Sequence, residues 1–124
     1  MRALLAAGLA AVPVPIVQTG FLTPSGNIAC NAGPAPGSNR ALLACTLFSA
    51  ASTARGQKLW SMYATGGVRV GFIVGNASTE LPRLAYGRTW RWRGLACSSA
   101  ATGLTCRNTA GHGFFLSRER QRVF

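Results

Sequence analysis

The chain has 124 residues, of which 48% are apolar and 12% charged, a composition that excludes a disordered polymer and a charged coiled coil. Thirteen lysines and arginines stand against two glutamates, which gives a net charge of +11. This charge favours anionic partners; the alternative is an arginine-rich composition that serves solubility alone. Fifteen glycines and six prolines predict many turns, as in an all-β protein, and the length fits one domain.

The first residues have the layout of a secretory signal peptide. Arg2 precedes a short apolar run rich in alanine and leucine, and two prolines interrupt this run before it reaches the roughly 20 residues that span a bilayer. We predict a signal peptide over residues 1–20, cleaved after Ala10 or later, and one domain over 21–124. A buried N-terminal segment is the alternative. The predicted location is secreted or periplasmic, with no transmembrane segment after processing.

Export makes the four cysteines candidates for disulfide bonds. A zinc site is the alternative, but its cysteines usually lie about two to four residues apart, and His112 is the only histidine. Four cysteines allow three pairings. Pairing of neighbours closes two short loops, each stabilising by roughly 2–3 kcal/mol. We predict Cys30–Cys45 and Cys97–Cys106, with no metal and no cofactor.

The remaining chain predicts about seven short strands joined as antiparallel hairpins. They lie within 23–31, 40–48, 57–63, 68–74, 86–97, 104–108 and 114–118. The sequence ATGG between the third and fourth strands is typical of a hairpin turn. Gly94 is interpreted as a bulge, and Phe124 is expected to fold back on the domain. The predicted fold is a small antiparallel sandwich or barrel held by disulfides.

The alternation of apolar residues in the fourth predicted strand is a period-two pattern. Val68, Val70, Phe72 and Val74 fall on one face of that strand.

Three segments resemble a family of small secreted bacterial proteins of unknown function. They are FLTPSGNIAC, LAYG and CSSAATGLTCRNTAGHGFFLSRER. The matching positions are Pro24 to Ile28, Cys30, Tyr86, Gly87, Cys97, Gly103, Thr105, Cys106, Asn108, Gly111 to Phe114, and Leu116 to Arg118. The resemblance implies export and a disulfide-bonded β domain, and it implies no activity.

The sequence GHG around His112 is the only place where a histidine could act as a base. Nucleophile–histidine–carboxylate catalysis needs an acid to orient the imidazole, and Glu80 and Glu119 are the only acids. We predict no catalytic residue. Gly111, His112 and Gly113 are interpreted as a structural turn in which the imidazole bonds turn carbonyls, so that His112→Ala costs stability. The alternative is a secreted hydrolase, such as a cationic ribonuclease, that uses His112 and a glutamate.

Aromatic and cationic residues alternate between Tyr86 and Arg93. If Trp90 and Trp92 face the core, this strand has a solvated basic face; if they are exposed, it is a stacking platform for single-stranded nucleic acid. The candidate binding face comprises Tyr86, Arg88, Arg91, Arg93, Arg118, Arg120 and Arg122, with Arg107 as a further candidate.

Export shapes the choice of partner for this face. Acidic polymers of the cell envelope or an envelope protein are the predicted partners, and nucleic acid is expected to bind only without specificity. A further alternative is a secreted inhibitor or effector that presents the loop 98–105.

Overall fold

A computed structural model describes residues 12–50, 56–73 and 77–124. These residues form two antiparallel five-stranded sheets, which confirms the predicted all-β fold. The first sheet contains β1 (Thr19–Leu22), β2 (Ile28–Pro34), β3 (Ala41–Leu47), β4 (Gln57–Tyr63) and β5 (Arg69–Ile73). The second contains β6 (Thr89–Trp92), β7 (Leu95–Ala100), β8 (Gly103–Asn108), β9 (Gly113–Leu116) and β10 (Gln121–Val123). Within the described ranges, no helix is long and apolar enough to cross a membrane.

The inner faces of the two sheets share one hydrophobic core, so the fold is a sandwich. Phe21, Leu43 and Trp60 from the first sheet belong to the same buried cluster as Leu104 and Phe114 from the second. Within each sheet every strand pairs with its neighbour in the chain. Side chains of successive residues point to opposite faces of a strand, so alternate residues of these strands fill the core.

Both predicted disulfides are confirmed, and each joins two neighbouring strands. Cys30 lies opposite Cys45 with a Cα–Cα distance of 4.1 Å, and Cys97 lies opposite Cys106 with a distance of 4.0 Å. The sulfur atoms of Cys30, Cys45 and Cys106 lie within 4.8 Å of one another, so the two disulfides meet at the centre of the core. A sulfur bonded in a disulfide is not a thiolate ligand, which leaves these cysteines without a role in metal binding.

The outer face of the first sheet is covered by the residues that precede β1. Val12 is buried, donates a hydrogen bond from its backbone nitrogen to the carbonyl of Phe72 at 3.0 Å, and packs against Leu59 and Ile73. The predicted domain boundary at residue 21 therefore falls inside β1, after a segment that already belongs to the fold. Residues 1–11 of the predicted signal peptide lie outside the described part of the chain.

The ten strands exceed the predicted seven for three reasons. Half of β1 lies in the segment assigned to the signal peptide, and β10 is the returning end of the chain, which pairs with β9. The predicted strand 86–97 is two strands, β6 and β7, because Arg93 (φ 46°) and Gly94 (φ 86°) form a two-residue turn. Two consecutive left-handed residues match the twist of a tight hairpin. The interpretation of Gly94 as a bulge was therefore wrong.

The segment 98–105 is not the loop that the inhibitor alternative requires. It consists of the ends of β7 and β8 joined by a turn at Ala101 and Thr102, and Ala100 still pairs with Gly103. The register set by the opposed cysteines leaves only this two-residue connection between the strands. A protruding, disulfide-fixed loop is therefore absent from this segment.

β5 is an edge strand, and the apolar face predicted from its alternation is only partly buried. Val70 lies opposite the buried Trp60, yet 48% of Val70 is exposed, and no further strand of the described residues pairs with β5 on that edge. Ile73, which lies on the other face, is buried against the N-terminal residues. Val74 lies outside the described ranges.

Candidate functional site

The outer face of the second sheet carries a concave surface bordered by arginines. Arg91, Ala96 and Arg107 lie side by side on β6, β7 and β8, facing away from the core. Because alanine is short, a depression of about 520 Å³ lies between the two arginines, and Arg93 from the adjacent turn also borders it. We call this surface, formed by Arg91, Arg93, Ala96 and Arg107, the arginine basin.

Further cations lie on the same outer face beyond the arginine basin. The guanidinium carbons of Arg107 and Arg122 lie 4.5 Å and 5.3 Å from the ring centroid of Phe124. Arg120 lies 5.8 Å from the ring centroid of Phe115. Such cation–π contacts restrain arginines while leaving their N–H donors free for a ligand. The basic surface therefore extends from β6 to β10.

The structure divides the predicted binding face into two groups. Arg91, Arg120 and Arg122 share the outer face of the second sheet with Arg107. Arg93 borders the arginine basin from the β6–β7 turn, where its guanidinium donates a hydrogen bond to the carbonyl of Asn39 at 3.0 Å. Tyr86 and Arg118 instead line a separate cleft of about 230 Å³, and Arg88 lines neither surface.

The cleft and the arginine basin lie at opposite ends of the second sheet. The basin lies at the end that carries the β6–β7 turn. The cleft lies at the end that carries the β7–β8 and β9–β10 turns, where Thr102 and Ser117 line it. Turns of an antiparallel meander alternate between the two ends of the sheet, so a ligand in one site leaves the other site free.

The tryptophans of β6 face the core, which excludes the stacking-platform interpretation. Trp90 and Trp92 pack against the shared cluster. The ring of Trp90 lies 5.4 Å from that of Phe21, and its Nε1 donates a hydrogen bond to Thr19 Oγ1 at 3.3 Å. The aromatic side chains of β6 therefore join the two sheets, and its arginines form the solvent face.

The turn that contains His112 is organised by Asn108. The Asn108 Oδ1 atom accepts hydrogen bonds from the backbone nitrogens of Ala110 at 3.0 Å and His112 at 3.1 Å. Its Nδ2 atom donates to the carbonyls of Tyr63 at 3.0 Å and Gly66 at 2.7 Å. Asn108 is 8% exposed and uses both its acceptor and its donors, so it ties this turn to the β4–β5 hairpin of the other sheet.

The flanking glycines of His112 act in two different ways. Gly111 has φ 83° and provides the left-handed residue that the turn needs. Gly113 lies in β9, where an added Cβ would clash with the carbonyl oxygen of Cys106. The predicted turn over residues 111–113 is therefore held by backbone geometry and by Asn108.

His112→Ala is now expected to change the free energy of unfolding by no more than about 0.5 kcal/mol. The side chain of His112 is exposed, and the bonds that hold this residue in the turn come from its backbone. This differs from the expectation that the imidazole itself supports the turn. Urea unfolding of the variant and the natural chain measures the difference; a loss above about 1 kcal/mol would restore the earlier interpretation.

The structure separates His112 from Glu119. His112 precedes β9 and Glu119 follows it, so the strand Gly113–Leu116 lies between them, a length of about 13 Å. Catalysis by a histidine requires its orienting carboxylate within hydrogen-bond reach. This pair does not meet that requirement.

The arginine basin could have been predicted from the sequence if the β6–β7 turn had been recognised. Recognition of Arg93 and Gly94 as a hairpin turn places Arg91 opposite Ala96, and the opposed cysteines then place Ala96 opposite Arg107. The shift in alternation at Gly94 predicted a bulge instead, and arginine rarely adopts the positive φ that this two-residue turn requires.

Comparison with known families bears on the second sheet. Residues 71–124 match the model of DUF6636, a family of unknown function. The match covers β6 to β10 and the end of β5, and therefore the whole arginine basin. It does not reach the TPSGNIAC segment. No match was found among curated proteins or among solved structures.

Proposed function

We propose that the protein is a non-catalytic, exported binding module that holds acidic polymers on the outer face of its second sheet. The observation that supports this function is the row Arg91–Ala96–Arg107, in which two guanidinium groups border an open depression of about 520 Å³. Guanidinium forks bind carboxylate, sulfate and phosphate groups through paired N–H donors. Cross-strand disulfides suit an oxidising compartment outside the cytosol.

The spacing of the cations favours a polymer over a small anion. Arg91 lies on β6 and Arg122 lies on β10, four strand spacings away, which corresponds to roughly 19 Å. A single small anion contacts one or two of these groups, whereas a polymer contacts several and releases several counterions. Glu80 and Glu119 lie outside this face, in the connections before β6 and after β9, so it is uniformly positive.

A triple variant with Arg91→Gln, Arg93→Gln and Arg107→Gln is expected to bind heparin at least roughly tenfold more weakly at low salt. Each lost contact should also reduce the slope of log K against log salt by about 0.7–0.9, so the total change is about 2–3. Fluorescence titration over a salt series measures both quantities. Single-stranded DNA should behave alike, since nothing on this face reads bases.

The matched control removes three charges from the first sheet through Arg40→Gln, Lys58→Gln and Arg69→Gln. This variant has the same net charge as the basin variant but retains the arginine basin, so its affinity and slope should stay close to those of the natural chain. Equal losses in both variants would show that net charge alone drives binding, which contradicts the proposal. Tight binding of heparin that is insensitive to salt would contradict it as well.

A further inference from the structure

The cleft at the opposite end of the second sheet is formed by four separate parts of the chain. The β1–β2 turn, Tyr86, the β7–β8 turn and the β9–β10 turn all line its volume of about 230 Å³. They meet where the ends of the two sheets come together. Each of the three segments on which the family resemblance rests contributes residues to this lining.

The wall formed by the β1–β2 turn is held rigidly. Arg83 donates hydrogen bonds from Nη1 to the carbonyl oxygens of Pro24 at 2.6 Å and Thr23 at 3.2 Å. The Asn27 side chain accepts a bond from the Ser49 backbone nitrogen and donates one to the Ser49 hydroxyl, both at 3.0 Å. A ligand in this cleft therefore meets a preformed surface, which reduces the entropy lost on binding.

Tyr86 is placed by a segment that connects the two sheets. Before it, the backbone of Leu84 donates to the carbonyl of Leu22 on β1 at 2.8 Å. After it, the backbone of Gly87 donates to the carbonyl of Ser99 on β7 at 2.8 Å. Tyr86 lies between these anchors, yet 54% of it is exposed at the cleft. The backbone on both sides of Tyr86 is thus held in place, and its ring is exposed at the cleft.

Arg118 is presented by the turn between β9 and β10. Ser117 donates from its backbone nitrogen to the carbonyl of Arg120 at 2.8 Å, and its hydroxyl accepts a bond from the Arg120 backbone nitrogen at 3.0 Å. Gln121 Nε2 donates to the carbonyl of Ser117 at 2.8 Å. These bonds fix the backbone of the turn and leave the exposed Arg118 side chain at the cleft.

Most residues that carry the family resemblance have a structural task in this fold. Asn27 joins its turn to Ser49, Asn108 joins the two sheets, and the cysteines form disulfides. Tyr86 and Arg118 are different, because both are exposed and both line the same cleft. An exposed aromatic ring and an exposed guanidinium group that line the same cleft have the chemistry of a recognition site.

We propose that this cleft binds one acidic sugar unit, a pyranose ring that carries a carboxylate. Tyr86 stacks against the C–H face of the ring, and Arg118 binds the carboxylate through paired N–H donors. Hydroxyl groups of the lining, including that of Thr102, exchange hydrogen bonds with the sugar hydroxyls. The inference goes beyond the arginine basin, because it assigns a second site that recognises the ring as well as the charge.

Glu119 bears on the choice between a sugar acid and a simple inorganic anion as the ligand. Glu119 also lines the cleft, and its negative charge opposes the binding of every anion, including the carboxylate of a sugar acid. The carboxylate of Glu119 accepts hydrogen bonds from sugar hydroxyls, which a polyhydroxylated acid supplies and an inorganic anion does not. The combination of one cation, one anion and one open aromatic ring therefore fits a sugar acid better than phosphate.

The test is an NMR titration of the isotope-labelled full chain with methyl glucuronide, methyl glucoside, acetate and inorganic phosphate. Methyl glucuronide is expected to shift the amide signals of residues 102–104 and 117–119. Methyl glucoside lacks the carboxylate and should bind at least roughly tenfold more weakly, as should acetate, which lacks the ring. Equal binding of acetate or phosphate would mean an unspecific anion site and would overturn the proposal, as would no shift with methyl glucuronide.

Single substitutions test the stacking on Tyr86 and the carboxylate contact of Arg118 separately. Arg118→Gln and Tyr86→Ala should each weaken methyl glucuronide at least roughly tenfold, and Arg118→Lys should fall between Arg118→Gln and the natural chain because a lysine lacks the planar fork. The control Arg69→Gln removes one charge from the first sheet and should bind normally. The arginine-basin triple variant should also bind normally, which distinguishes failure of this site from failure of the heparin-binding face. Unchanged affinity in both Arg118→Gln and Tyr86→Ala would refute the proposal.

Discussion

A chain that begins at Phe21 is expected to be about 3–5 kcal/mol less stable than one that begins at Val12. The shorter chain loses Val12 and Val14, which pack against Leu59 and Ile73 on the outer face of the first sheet. It also loses half of β1 and several backbone hydrogen bonds to neighbouring strands. Small domains have a total stability of about 5–15 kcal/mol, so a loss of this size brings the shorter chain close to unfolding.

Urea unfolding of both purified chains measures this difference. A matched pair of variants tests the cause in the uncut chain: Val12→Ser should destabilise, whereas Ile16→Ser should have little effect. Val12 is 9% exposed and Ile16 is 70% exposed, so only the first replacement removes much buried surface. Equal stability of the two chains would mean that the segment before β1 contributes nothing to the fold.

The same segment bears on export. We predict that the signal peptide, if removed, is cleaved after Ala10 and not immediately before Phe21, because the later site deletes residues that complete the first sheet. Mass spectrometry of the exported protein determines its first residue. A mature chain that begins at Phe21 would contradict this prediction.

Asn108→Ala is expected to lower the free energy of unfolding by about 2–3 kcal/mol. The substitution removes all four hydrogen bonds of the side chain and leaves the partly buried carbonyls of Tyr63 and Gly66 without these donors. Asn108→Asp retains the acceptor for the turn but directs a carboxylate oxygen at these two carbonyls, so its loss of stability comes from the contact between the sheets and includes the repulsion between these oxygens. Chemical unfolding of the variants measures both effects.

Two controls accompany this measurement. Asn39→Ala removes the same group from an exposed asparagine, and His112→Ala alters the same turn without removing its hydrogen bonds. Both should stay within about 0.5 kcal/mol of the natural chain. If Asn108→Ala also falls within that range, the two turns are held together by other contacts.

Local features of the fold could be predicted from the sequence, and contacts between distant segments could not. The disulfides were predictable because each pair of cysteines brackets one hairpin. β1 was missed because its residues continue the apolar leader, and only its pairing with β2 shows that it is a strand. The turn at Arg93 was missed because a non-glycine residue with positive φ leaves no signal in composition.

The candidate sites show the same division. Alternation along β6 placed arginines and tryptophans on opposite faces, which the structure confirms for Arg91, Trp90 and Trp92. The separation of Arg118 from Arg120 was not predictable, since these residues are close in sequence. A tight turn between them directs one side chain to the cleft and the other to the outer face of the sheet.

The contact between the two disulfides constrains the order of oxidative folding. Once the sheets have docked, the sulfur atoms of Cys30, Cys45 and Cys106 lie within 4.8 Å of one another, so a thiol in a half-oxidised core has a wrong partner close by in addition to its own hairpin neighbour. The cysteines are then 0% exposed, which denies a thiol oxidase or isomerase access to correct a scrambled bond. Each native bond needs only one contiguous hairpin. If each hairpin is oxidised before the sheets dock, wrong disulfides are avoided. Native disulfide formation must therefore be complete by the time the two sheets pack together.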